Sequence, residues 1–107
     1  MTEDVLTVVA IVGDLMDRSR IAAAIPEVQF TDDPRVTEHA DVVIVDLVAY
    51  GDRLGAVRVD APNAHVVAYG PHVDEAMLER GLQQGADVVL PRSRFFRDPR
   101  GALHSEH

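Results

Sequence analysis

Apolar residues fall in five short, nearly unbroken runs: residues 6–12 (LTVVAIV), 28–30 (VQF), 42–46 (VVIVD), 65–69 (HVVAY) and 87–90 (DVVL). They are rich in β-branched residues and do not alternate with polar ones. A strand with one wet face alternates; a strand covered on both faces does not. The runs therefore predict the strands of a parallel sheet.

The spacers between them carry helix signals. Residues 14–25 (DLMDRSRIAAAI) open on Asp14 or Asp17 as N-cap and are stopped by Pro26. Residues 33–40 (DPRVTEHA) have Asp33 as cap and Pro34 at the first helical position, with room for a turn or two. Residues 52–59 (DRLGAVRV) make a poor helix. Residues 74–85 (DEAMLERGLQQG) make the best one: Asp74 caps it, Met77, Leu78, Gly81 and Leu82 form an apolar face, and Gly85 suits the position just past its end. Gly81 costs about 1 kcal/mol inside a helix, for which a close approach of helix to sheet is a reason.

Strand and helix alternate from end to end. Right-handed crossovers wind such a chain into a three-layer α/β/α sandwich. Ligands in these folds bind beyond the carboxyl ends of the strands. That rule gathers Gly13, Asp14, Asp46, Gly70, His72, Pro91 and Arg92 at one edge, because each closes or follows a strand.

On these residues the chain resembles the receiver domain of response regulators, the flavodoxin-like fold typified by CheY, over about residues 5–96. The resemblance rests on VVAIVGD (8–14), VVIVDL (42–47) and GADVVLPRSRF (85–95), with the helix DEAMLERGLQQGAD (74–87) before the last. It implies a five-stranded parallel sheet in the order 2-1-3-4-5. It also implies a phosphoryl-transfer site. In receivers two acids after the first strand and the Asp closing the third hold Mg²⁺, and that Asp is the nucleophile. A Thr or Ser after the fourth strand and a Lys after the fifth contact the phosphoryl oxygens. A dianionic transferring group needs this metal, cation and donors to offset its charge.

Carried over, the resemblance puts Asp46 at the acceptor position and Asp14 with Asp46 as the remaining magnesium ligands. Gly13 stands where receivers have a second acid, Gly70 where they have the hydroxyl, and Arg92 where they have the Lys. Arg is not equivalent to Lys, since its planar fork must reach an oxyanion differently. Paired directly with Asp46, Arg92 would mimic a closed, permanently silent site. Asp14 also suits a helix N-cap, and Asp46 a strand-end cap. His72 with the two Asp residues is a weak transition-metal pattern.

The tail departs from a receiver. Residues 93–107 (SRFFRDPRGALHSEH) contain Pro99 and Gly101 and offer a turn or so in place of a long last helix, so the second and last helices are both short. Phe95 and Phe96 must then cover a sheet face, or a second copy must, giving a homodimer through 87–97. Residues 97–107 read as a polar tail in which His104 and His107 are disordered.

Composition narrows the classes further. The 107 residues suit one domain, 1–107, with almost half of them apolar. The formal net charge is −8, every basic residue is Arg, and there is no Cys. That balance speaks against nucleic acid and against an anionic membrane surface, and the missing Cys excludes disulfides and thiolate chemistry. No run approaches the roughly 18 apolar residues of a membrane span, and the start is acidic before it is apolar, so a cytoplasmic protein is expected. A dinucleotide fold needs G-x-G-x-x-G where this chain has VGDLMD, and a P-loop needs Lys.

The expectation is a non-enzymatic, receiver-like interaction domain with an unidentified protein partner and no phosphate. The alternatives are a working stand-alone receiver phosphorylated on Asp46 with Mg²⁺, and a small-ligand-binding flavodoxin-like module using the Gly13/Gly70 edge.

Overall fold

The computed structural model describes residues 6–106. Five strands, β1 (Val8–Ile11), β2 (Gln29–Phe30), β3 (Val42–Asp46), β4 (His65–Gly70) and β5 (Val88–Pro91), form one parallel sheet in the order β2-β1-β3-β4-β5. All five apolar runs are strands, and the expected strand order holds. Register aligns Ile11 with Val45 across β1 and β3, and Asp46 with Tyr69 across β3 and β4. The carboxyl ends of β1, β3 and β4 therefore meet at one edge.

Successive strand residues point to opposite faces, and both faces are dry. One carries Val8, Ala10, Ile44, Val67, Tyr69 and Leu90 against helix α1 (Leu15–Ala24) and the two last helices, α5 (Arg92–Arg97) and α6 (Pro99–Ala102). The other carries Val43, Val45, Val66, Ala68 and Val89 against α2 (Leu47–Tyr50), α3 (Leu54–Asp60) and α4 (Glu75–Gln83). This is why the runs do not alternate.

Asp14, not Asp17, caps α1: its carboxylate accepts the Asp17 N–H at 3.0 Å. Asp33 caps a 3₁₀ turn over Pro34–His39, the short second helix expected. Asp74 caps α4, and Gly85 just beyond its end has φ +127°, a conformation that favours Gly. A Cβ on Gly81 would lie 3.1 Å from Val89 Cγ2 and 3.2 Å from Leu47 Cδ1, which is the close helix–sheet approach anticipated there.

Three elements differ from the sequence reading. Residues 52–59 contain a real helix: after a 3₁₀ turn at Gly51–Arg53, α3 buries Leu54 and Val57. Packing of those two side chains outweighs the cost of Gly55 and the β-branched valines. The one-turn α2, which starts directly after Asp46, was not anticipated. Third, residues 97–105 are no loose tail. Pro99, Ala102 and Leu103 are buried, and the Ser105 carbonyl lies 2.9 Å from His65 Nε2. His104 is exposed but in an ordered turn, its N–H bonded to the Gly101 carbonyl; His107 lies outside the described residues.

Phe95 and Phe96 are buried within their own chain. Phe95 stacks on Tyr69 with ring centroids 4.7 Å apart, and Phe96 packs edge-on against both, at 5.1 and 4.9 Å. Offset and edge-on contacts are the favoured arrangements of aromatic rings. The short α5 and α6 thus cover the sheet face themselves, and the apolar residues that suggested a dimer through 87–97 are not on the surface.

Candidate functional site

The site begins where β3 ends. Asp46 is 6% exposed, and its Oδ1 accepts the Val48 N–H at 3.1 Å, capping α2. Burial pushes its carboxyl above the usual carboxylate range, against the pull of the Val48 and Ala49 N–H groups; Asp17 adds to the rise and Arg92 opposes it.

Arg92 is not bonded to Asp46. It grips Asp17, donating from Nη1 to Oδ2 at 2.6 Å and from Nη2 to Oδ1. Tyr69 O–H donates to the same Oδ2 at 3.0 Å. Asp17 is 1% exposed, whereas the Arg92 side chain is 44% exposed. The Arg92 hydrogen bonds, aided by that of Tyr69, hold the Asp17 carboxyl below its usual range despite burial. Arg92 is raised by the same bonds, and burial first, then the two nearby carboxylates, raise Tyr69. The pairing expected between Arg92 and Asp46 is therefore replaced by one with Asp17. The reason is geometric: Asp17 stands on the inward stripe of α1, one turn before Ile21 and two before Ile25, beneath the start of α5.

Sequence reading weighed Asp17 only as a cap. Its signal was present: an acid at i in an i, i+4, i+8 row with two isoleucines needs a buried partner. Tyr69 gave a weaker one, as a polar tip in an apolar strand.

The remaining candidates line the same edge without gathering into a metal cage. Asp14 is spent on the α1 cap, Asp46 on the α2 cap, and His72 is exposed in the loop after β4. Among the described residues no three His, Asp or Glu side chains cluster as metal ligands. One oxygen of Asp14 accepts the Asp17 N–H and one of Asp46 the Val48 N–H, and among the described residues no third carboxylate joins them, so the Mg²⁺ ligand set that the resemblance implies is incomplete here. At Gly13 an added Cβ would touch Ala49 and Tyr50, each at 3.4 Å. At Gly70 it would meet Leu78 at 3.3 Å and Leu47 and Met77 at 3.5 Å. Helix α2 thus packs beside Gly13, and α2 with α4 beside Gly70.

No family model matches the sequence, and no curated protein matches it. Solved structures do. A response regulator from Thermotoga maritima superposes with a TM-score of 0.70 at 14% identity, over 94% of this chain and 98% of that one. The fold is that of a response-regulator receiver. A response regulator from Burkholderia pseudomallei, with a phosphorylated aspartic acid, calcium ion and citrate, gives 0.72 at 14% identity, over 94% of this chain and 67% of that one. NtrX from Brucella abortus, in complex with ADP, gives 0.72 at 14% identity over 92% of this chain. This chain spans about a quarter of NtrX (26%). At this identity the receiver likeness is one of fold. Among the described residues no helix is long and apolar enough to cross a membrane.

Proposed function

We propose that the chain is a receiver-like signalling domain that acts by binding a protein partner in the cytoplasm, without phosphate on Asp46 and without enzymatic activity. The observation that carries this is the Arg92–Asp17 pair. The cation at the receiver Lys position is held by both oxygens of a buried carboxylate, at 2.6 Å for one of them. Turned onto Asp17, Arg92 is not directed at Asp46, where a phosphoryl group would need it. Three further features support the reading. Asp46 serves as a helix cap, Gly13 supplies no carboxylate, and Gly70 supplies no hydroxyl.

The fold supports the signalling role by analogy, because receivers work by presenting surfaces to other proteins. The face used need not be apolar. With Phe95 and Phe96 buried, the exposed side chains of residues 92–97 are Arg92, Ser93, Arg94 and Arg97. A heterologous partner fits that surface better than a second copy of the chain would, since like charges would face each other across a two-fold axis.

Beryllofluoride with Mg²⁺ tests the silent site, because it mimics an aspartyl phosphate. Amide spectra should show no saturable shift at Asp46, Val48 or Ala49. A saturable shift there that is lost in Asp46→Asn would favour the working receiver instead.

A further inference from the structure

On the outer side of the Arg92–Asp17 pair lies a surface depression of 370 Å³ between α1 and α5, lined by Arg20, Arg92, Ser93, Phe96 and Arg97. Its lining holds three guanidinium groups and no carboxylate, in a chain whose net charge is −8. Two of the three are stacked on one ring: Arg20 Cζ is 4.5 Å and Arg92 Cζ 4.9 Å from the centroid of Phe96. Phe96 is itself pinned by Phe95 and Tyr69, and Arg92 by Asp17. Arg20 and Arg97 are exposed and form no ion pair among the described residues.

From this arrangement we infer that the depression binds the oxyanion head of a small phosphate monoester. Guanidinium forks match phosphate oxygens in pairs, and stacking on a ring pre-organises two of them, which lowers the entropy lost on binding. Arg92 gives two N–H groups to Asp17, which leaves others for a ligand on its exposed side. The Ser93 hydroxyl adds a neutral donor. Asp17 neutralises one positive charge of the three, so a net charge of about two remains, which suits a dianion. Nucleic acid is a poor occupant, because the acidic remainder of the chain repels a polyanion beyond so small a footprint. This inference rests on the depression alone and stands whether or not Asp46 accepts phosphate.

The test is a titration of the ¹⁵N-labelled full chain with phenyl phosphate and, separately, with inorganic phosphate, at constant ionic strength. The amides of Ser93, Phe96 and Arg97 should shift saturably, and Arg20→Gln and Arg97→Gln should each weaken binding by about tenfold. Neither side chain is in the core, so both variants should keep the fold, which the unchanged remainder of the amide spectrum checks. Phenyl phosphate binding more tightly than inorganic phosphate marks an organic monoester as the ligand. Equal affinities, or shifts that are unsaturable or persist when Arg20→Gln and Arg97→Gln are combined, would overturn that assignment. Asp46→Asn should bind unchanged; loss of binding there would place the anion at Asp46 and overturn the inference without reference to the arginine variants.

Discussion

Replacing Arg92 by Met should expose what the Asp17 carboxylate costs when it stands alone. The aliphatic stem is retained, but both guanidinium hydrogen bonds go, and among the described residues Tyr69 O–H is left as the only side-chain hydrogen-bond partner of a group 1% exposed. Stranding one member of a buried pair costs about 3–5 kcal/mol. The Arg92 side chain is 44% exposed, so part of the field is screened and water can enter the vacated space. Discounted for that, the loss should be about 2–3 kcal/mol near neutral pH. The pH dependence has a definite sign. In the parent the Asp17 carboxyl is held below its usual range by Arg92, so its contribution is present above the unfolded value of about 3.9 and lost as pH falls through the folded one. In the variant, burial without the cation raises the folded value, so the penalty is absent in acid and grows as pH rises through it. The difference between parent and variant should therefore be largest near pH 7 and shrink toward about pH 4. Urea unfolding followed by far-ultraviolet circular dichroism at several pH values measures it. A loss below about 0.5 kcal/mol at neutral pH, the range of an ordinary surface change, or one independent of pH, would refute the reasoning.

Other changes read other parts of the structure. Asp46→Asn keeps an oxygen for the Val48 N–H and removes a carboxyl whose folded pKa is raised by burial; it should stabilise the protein near pH 7 in urea unfolding, with the gain vanishing in acid, and a loss at neutral pH would contradict the burial argument. Gly81→Ala gains about 1 kcal/mol of helix propensity but forces a Cβ to 3.1 Å from the stiff Val89 side chain, so overpacking of about 1–3 kcal/mol should win and lower the melting temperature. Leu103→Ala should cost about 2–3 kcal/mol by the same unfolding assay, since that side chain is 2% exposed; a negligible loss would mean that the last residues do not belong to the core.

The sheet was legible because a strand buried on both faces leaves an unmistakable trace: Val8–Ile11, Val42–Asp46 and His65–Gly70 sit within one or two residues of their apolar runs. Caps were legible for a related reason, because Asp33 and Asp74 each precede a helical spacer and bond its first N–H groups. Helix α3 was not, because its propensity is poor and its stability comes from Leu54 and Val57 packing on the sheet, a tertiary effect. The end of the chain was misjudged for the opposite reason. Pro99 and Gly101 read as breakers, yet Pro99 occupies a first helical turn, where its missing N–H is harmless. At the site, the positions were right and one partnership was wrong. Linear spacing placed Asp46 and Arg92 at the same edge, but the choice of Asp17 over Asp46 depends on which way a helix stripe faces, which only the packed fold decides.

The central claim is that Asp46 is a structural cap in a receiver fold and not a phosphate acceptor. Loss of one stabilising contact at a charge-transfer site costs about 10²–10³ in rate, and here the second acid and the hydroxyl are missing and Arg92 is turned onto Asp17. The direct measurement is the intact mass of the chain after incubation with acetyl phosphate and Mg²⁺, beside Asp46→Ala treated in the same way. The account predicts the unmodified mass for both. A stable gain of one phosphoryl group in the parent that disappears in Asp46→Ala would contradict it.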